Sequence, residues 1–369
     1  MKVNPNYNLV TSDTLTNIYT NKYTNKYTNK YGNKGLTGLC NLGNSCYINA
    51  CMQILSHCYE LNDALETMNI NNDEKSLLLY EWKQLKDLMW STNCIISPNR
   101  FMYAIQHSAQ KKNRELFTGY AQNDLPEFLI FVFDCFHEAI ERKVDINIIG
   151  ISKNNTDELA RKCYTMIKNN YSNSYSEIIE LFFGIHVSLI LSNNEENNIY
   201  SIIPESFSII NLSIPIENKN NTKTFTIYDC FDLYTSNEIL ENDNAWFNEI
   251  TNKKENVKKC IKFWSLPTIL IVDLKRFDNN NRKLNNIVET PLTNIDLSKY
   301  VLGYNNKKYI YELFGICNHS GGSLGGHYTS YVKNANQKWY IYNDTSVIEI
   351  DEASLISAKA YCYCYRKIS

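Results

Sequence analysis

Two stretches of the chain carry residues that can do chemistry together. The first is GLCNLGNSCYINACMQIL (38–55), where Cys46 sits at the point at which a glycine-bearing loop becomes a helical pattern. A thiol at a helix N-terminus feels the positive end of the dipole, which lowers its pKa and favours the thiolate. Asn41 lies five residues upstream, on the loop. Its amide and the Cys46 backbone N–H together can donate hydrogen bonds to an oxyanion formed beside the sulfur. The second stretch is CNHSGGSLGGHYTSYVK (317–333), followed by KWYIYNDTSV (338–347). His327 follows Gly325 and Gly326 and opens an alternating strand, and Asn343 and Asp344 end the next one. Adjacent antiparallel strands can set one of those two side chains beside the imidazole. Singly, each residue has a plainer reading: a structural cysteine, a loop histidine, a turn. Jointly they are a nucleophile, a general base and an orienting group.

The elements that must position them come in two blocks. Ile48, Cys51, Leu55 and Cys58 recur at helical spacing, as do Leu78, Trp82, Leu85 and Met89, and then Leu125, Phe128, Leu129, Val132 and Phe136. After Glu180 the texture changes to β-branched and aromatic segments such as IHVSLIL, KTFTIYDCF and TILIVDLKRF, separated by Asn-rich turns. The pattern predicts an α+β protein, helical first. Tyr19 to Lys34 read YTNK, YTNK, YTNK, YGNK. Polar repeats rarely build a core, so residues 1–34 are expected to be a disordered low-complexity tail.

Composition narrows the classes. Of 369 residues 44% are hydrophobic and 21% charged, enough for a substantial core. Lys+Arg number 37 against Asp+Glu 39, a net charge of -2, which argues against general nucleic-acid binding. No apolar run is long enough for a membrane span, and the N-terminus shows no secretory h-region. The 12 cysteines contain no C-x-x-C pair. Reduced thiols in a cytoplasmic or nuclear setting are expected. Sequons include Asn154, Asn318 and Asn343, and a glycan on Asn343 would block the site. Abundant Asn suits an AT-rich coding sequence, as in a protist or a large DNA virus.

The chain resembles the ubiquitin-specific proteases, papain-like cysteine peptidases that remove ubiquitin. GLCNLGNSCYINACMQ is similar to the family's cysteine box, and NHSGGSLGGHYTSYV with WYIYND to its histidine box. GYAQNDLPEFLIFVFDCFHEA (119–139), LPTILIVDLKRF (266–277), LSIPI (212–216) and IDLSKY (295–300) fit intermediate boxes in order, so the likeness runs from Gly35 to the end. It implies residues 35–369 as one catalytic domain, with a helical thumb (about 35–178), β fingers (about 179–262) and a β palm (about 263–369). It implies Cys46 as nucleophile, His327 as general base and later acid, Asn343 as the third triad residue, Asp344 as an adjacent supporting acid and Asn41 as the oxyanion-hole side chain. Ubiquitin's basic, diglycine-ended tail is expected against Asp124, Glu127, Gln122, Tyr328, Gly325 and Gly326. His319 matches a second histidine near the site, with loop packing an equal reading.

The resemblance makes the expected function a thiol-dependent deubiquitinase acting on ubiquitin and ubiquitinated proteins, as a monomer and without a cofactor. The alternatives are a catalytically silent ubiquitin-binding protein and a protease for a ubiquitin-like modifier. One departure stands out. Many relatives hold a zinc in the fingers with two C-x-x-C pairs, and those places here read SLILSNNEEN and AWFNEITNKK. Cys230 and Cys260 stand alone, so no zinc is expected. Cys362 and Cys364 read as buried strand residues.

Overall fold

The structure is a computed structural model describing residues 26–193, 199–215, 223–304, 308–322 and 325–368. A short helix α1 covers residues 26–31. It is followed by α2 (Cys46–Ser56), α3 (Tyr59–Glu66), α4 (Leu77–Met89), α5 (Asn99–Lys111), α6 (Leu125–Ile140), α7 (Asn155–Tyr171) and α8 (Glu177–Phe182). A further helix, α9 (Ile227–Tyr234), lies among the strands. The spacing of apolar residues in α2 suggests one buried stripe, but all eleven of its residues are buried. A helix enclosed on every side needs a partner on every side. Thumb helices α3 and α6 cover one side of α2, and the palm sheet covers the other. In α6, Asp124 takes the N-cap position with extended backbone, and Pro126 sits in the first turn, where no N–H is required.

The strands are β1 (Gly38–Leu39), β2 (Ile95–Ile96), β3 (Gly184–Ser192), β4 (Ile199–Phe207), β5 (Ile209–Ser213), β6 (Glu238–Leu240), β7 (Val257–Ser265), β8 (Ile269–Lys275), β9 (Ile310–Gly322), β10 (Gly325–Lys333), β11 (Trp339–Asn343), β12 (Ser346–Ile350) and β13 (Ala360–Lys367). The fingers sheet has the order β4-β3-β7-β6. The palm sheet runs β12-β11-β10-β9-β13-β8-β5. Only the β8–β5 pairing on that path is parallel. β8 is buried from Ile269 to Leu274, as its unbroken apolar run predicts.

Two expected boundaries move. Residues 209–213 fall in the stretch assigned to the fingers, yet β5 pairs with Ile271–Lys275 of the palm. Its Ile210 and Leu212, together with Ile227 and Phe231 of α9, enter the palm core. The expected tail of 1–34 also ends too late. Residues 26–34 are ordered, and Tyr27 is 4% exposed. Repeat tyrosines find aromatic partners on the thumb, a possibility that composition alone does not reveal. The remainder of the expected tail, 1–25, lies outside the described residues. Cys362 and Cys364 are buried on β13, and the cysteines are all free thiols.

The thumb meets the palm along a polar seam around His57, directly after α2. His57 is fully buried, its Nδ1 donates to Gln53 O at 2.8 Å, and its Nε2 lies 3.2 Å from the Tyr342 hydroxyl of β11. Arg366 of β13 donates to His57 O at 2.8 Å and stacks over Phe314 and Tyr59. Burial, assisted by the Arg366 charge, pushes the imidazole down to about 4. The unfolded chain therefore binds a proton near pH 6.5 that the folded chain refuses until about pH 4. Its contribution to stability is complete above the unfolded value and is lost as pH falls through that window, amounting to about 3 kcal/mol. Urea titrations from about pH 7 down to about pH 4 are expected to show this loss. A His57→Gln variant, which keeps a donor and an acceptor but does not titrate, is expected to show a shallower slope.

Candidate active site

Cys46 is the first residue of α2 and is 2% exposed. β10 crosses the start of this helix, and the Tyr328 backbone N–H donates to Cys46 Sγ at 3.5 Å. His327, the preceding residue on β10, has Nε2 2.6 Å from Asn343 Oδ1 at the end of β11. Asn Oδ1 can only accept, so Nε2 carries the proton and Nδ1 is free to take one. The histidine tautomer that a thiol's general base needs is thus fixed by Asn343. The structure sets Asn343 against His327 and seats the next residue of that strand, Tyr328, on Cys46, from opposite ends of the chain.

The thiol itself differs from expectation. The helix start was expected to lower its pKa, but burial pushes the thiol up. The N–H groups of Tyr328, Tyr47 and Cys46 oppose this, while the Asp344 carboxylate adds to it. Desolvating an anion outweighs a few favourable amide dipoles here. The thiolate is therefore disfavoured here, and forming it calls for a nearby base.

Asp344 is the joint between the two blocks. It has a left-handed backbone, with φ +49, in the turn after β11. Its carbonyl accepts from Leu39 N at 2.8 Å. Its carboxylate takes Asn41 Nδ2 on one oxygen at 3.0 Å and Asn49 Nδ2 on the other at 2.7 Å. Gly38 is required beside it, because a Cβ there would lie 2.3 Å from Thr345 O. Asn41 Oδ1 accepts from the backbone N–H groups of Gly43 and Ser45, both at 3.1 Å. This fixes which end of the amide carries the donors, and those donors point to the Asp344 side. Asn49, one helical turn after Cys46 and buried, was not singled out from the sequence. Its i+3 position within the cysteine box was the available signal.

Beside the triad lies a cavity of about 330 Å³ lined by Gln122, Asn123, Asp124, Phe277, Asn281, His319, Gly322, Gly325, Gly326, Tyr328 and Tyr361. Of the expected binding residues, Gln122, Asp124, Tyr328, Gly325 and Gly326 line it. Glu127 does not. At the third position of α6 it opens onto a separate groove with Arg114, Leu116 and Phe131. Asp124 is held by the Tyr361 hydroxyl at 3.0 Å and lies 3.5 Å from that of Tyr328. Gln122 bridges the cavity, with Nε2 donating to Gly326 O at 2.7 Å and Oε1 accepting from Gly326 N at 2.8 Å. Gly326 has to be glycine, since a Cβ would meet His319 Nε2 at 2.2 Å. His319 lies in the cavity wall: it is 4% exposed, and its ring is tilted against Tyr328 at 4.7 Å between centroids. Burial and nearby Lys283 push it down to about 4. Tyr361 and Phe277 line the wall without having been expected from the sequence.

Among the described residues no group of three or more His, Cys, Asp or Glu side chains could hold a metal ion, and no helix is long and apolar enough to cross a membrane. In the fingers, His186 pairs with Glu205 at 3.2 Å, and Cys230 and Cys260 are buried in different elements.

The chain is similar to known proteins over most of its length. The family profile described as ubiquitin carboxyl-terminal hydrolase matches residues 37–365. "Ubiquitin carboxyl-terminal hydrolase 2" of Gallus gallus is 31% identical over 352 residues, covering 91% of this chain and 94% of its own length. The proteins of the same description from Bos taurus and Homo sapiens are each 30% identical over 91% of this chain. This chain spans only about half, 56%, of the length of those two. Among solved structures, a chain of a SAGA DUB module (Ubp8, Sgf11, Sus1 and Sgf73) bound to monoubiquitin superposes with a TM-score of 0.68 at 21% identity, covering 97% of this chain and 76% of that one. A module of the same composition bound to ubiquitin aldehyde gives 0.67 at 22%. These likenesses show the papain-like fold. Given a profile match from Thr37 to Tyr365 and relatives that align along nine-tenths of it, the chain belongs to the ubiquitin carboxyl-terminal hydrolase family.

Proposed function

We propose that the chain is a thiol-dependent deubiquitinase that hydrolyses the peptide or isopeptide bond after the C-terminal glycine of ubiquitin. The observation that carries this reading is the His327–Asn343 contact of 2.6 Å on a strand whose next amide rests on Cys46 Sγ. His327 Nδ1 takes the Cys46 proton, and the thiolate attacks the glycine carbonyl. The oxyanion is held by the Cys46 backbone N–H and by Asn41 Nδ2, once that amide turns from Asp344. The imidazolium then protonates the leaving amine, and a thioester remains. Water, deprotonated by His327, hydrolyses it and returns the thiol.

The cavity supports the substrate. Gly325 and Gly326 form part of its wall, where the lack of side chains suits a diglycine, and Asp124 supplies negative charge for a basic tail. Twelve free cysteines suit a reducing compartment, so a cytoplasmic or nuclear site of action as a monomer is part of the proposal.

Cleavage of a fluorogenic ubiquitin C-terminal amide tests the reading. Wild type is expected to turn over, and Cys46→Ala to lose turnover entirely. Binding without turnover would make the chain a silent ubiquitin receptor, and neither would point to a ubiquitin-like modifier. Asn41→Ala is expected to lower kcat by about 10²–10³-fold with little change in KM, since its amide meets the oxyanion only in the transition state.

The two acids are expected to separate in steady-state kinetics. Asp124→Asn, which keeps a partner for the tyrosine hydroxyls, is expected to raise KM for the basic tail by about tenfold and flatten its salt dependence. Glu127→Gln, outside the cavity, is expected to leave KM within about twofold.

A further inference from the structure

The YTNK repeat belongs to no part of the mechanism above, yet its last units are built into the molecule. Its period of four nearly matches the helical period, so Tyr27 and Tyr31 share one face of α1. Tyr27 stacks on Tyr59 of the thumb at 4.7 Å between ring centroids, and Tyr31 stacks on Tyr59 at 5.0 Å and tilts against Trp90 at 4.5 Å. The Tyr27 hydroxyl donates to Asp63 at 2.6 Å, and Lys30 reaches Glu66 at 2.6 Å. Exposed ion pairs contribute little, so the buried Tyr27 ring and the partly buried Tyr31 ring carry the docking.

The opposite side of the same segment touches the palm. Thr28 Oγ1 donates to Ala335 O at 2.6 Å, and Asn334 Nδ2 donates to Lys34 O at 3.0 Å. Asn336 Nδ2 reaches Asn33 Oδ1 at 3.1 Å. Gly35 O accepts from the Tyr342 hydroxyl at 3.0 Å, and Tyr342 adjoins Asn343. Residues 334–336 form the turn between β10 and β11, the strands that carry His327 and Asn343.

We propose that residues 27–34 are a positioning strap that holds the His327–Asn343 hairpin against the thumb, so that this repeat keeps the general base in register with Cys46. The inference rests on the catalytic reading for its kinetic consequence, but not for the strap itself. Gly32 sets the register. Pairing through Tyr and Lys alone would be degenerate by four residues, because earlier units repeat them. Only the last unit reads YGNK, and Gly32 has φ +54, with its N–H donating back to Thr28 O at 2.9 Å to close the helix. The threonine of the other units would be strained there.

The test is hydrogen exchange across residues 328–343 in the full chain, beside kinetics on the ubiquitin amide well below each variant's melting temperature. Tyr27→Ala/Tyr31→Ala is expected to speed exchange in the hairpin and lower kcat, each by about tenfold, with KM within about twofold. Gly32→Thr, which makes the repeat perfect, is expected to do the same. Tyr31→Phe keeps the stack and is expected to behave as wild type. Faster exchange confined to α1, or a loosened hairpin with unchanged kcat, would overturn the strap. Should wild type itself not turn over, the catalytic reading has failed, and hairpin exchange alone decides the strap.

Discussion

The site depends on how one turn is seated. Asp344 and Thr345 press against β1 so closely that only glycine fits at position 38. There the Asp344 carboxylate bonds one amide from the Cys46 loop and another from the Cys46 helix. Nucleophile and base reside on different blocks of the chain, and neither block alone can fix their separation. The turn that ends the Asn343 strand does so, because the residue that follows the orienting group is also the one that grips the helix bearing the thiol. Its φ of +49, uncommon away from glycine, is held in place by the bond from Leu39 N and the two amides.

In this seating the Asp344 carboxylate meets Asn41 and Asn49. His327 is already oriented by Asn343. The carboxylate stabilises the resting position of Asn41 and raises the Cys46 pKa. The second effect opposes thiolate formation. A substrate carbonyl that draws the Asn41 amide toward its oxygen releases one of those bonds, while Asn49 keeps the turn in place. On the proposed mechanism the same group secures the geometry before substrate arrives and frees the oxyanion donor afterwards.

What was legible in the sequence is what is local. GLCNLGNSCY and GGHYTSY place a thiol at a helix start and a histidine at a strand start, and the structure keeps both. The α-then-β order followed from periodicity. The misses are long-range or depend on burial. The Asn49–Asp344 bond spans 295 residues, and Thr28 reaches Ala335 across 307. Neither has any signature in a window of sequence. The resemblance grouped Glu127 with Asp124, but only Asp124 lines the cavity, while Glu127 lines the groove with Arg114 and Phe131. The β5 segment looked like fingers because strands surround it in sequence; its parallel pairing with β8 is a tertiary fact. The thiol's pKa moved against expectation because the whole of α2 is enclosed, whereas amphipathic spacing implied one open face.

That enclosure bears on how the proposed strap would act. A central helix buried on all sides transmits any shift of its surroundings to its first residue, since close-packed interiors deform little. α3 packs against α2, and the palm hairpin packs against its other side. A tie between these two neighbours restrains α2 without touching it. Residues 27–34 make such a tie with two aromatic rings on the thumb and a few backbone-directed hydrogen bonds on the palm. The rings supply burial, which is non-directional, and the hydrogen bonds supply direction. Burial alone would leave a four-residue slip open, and the left-handed glycine at 32 closes it.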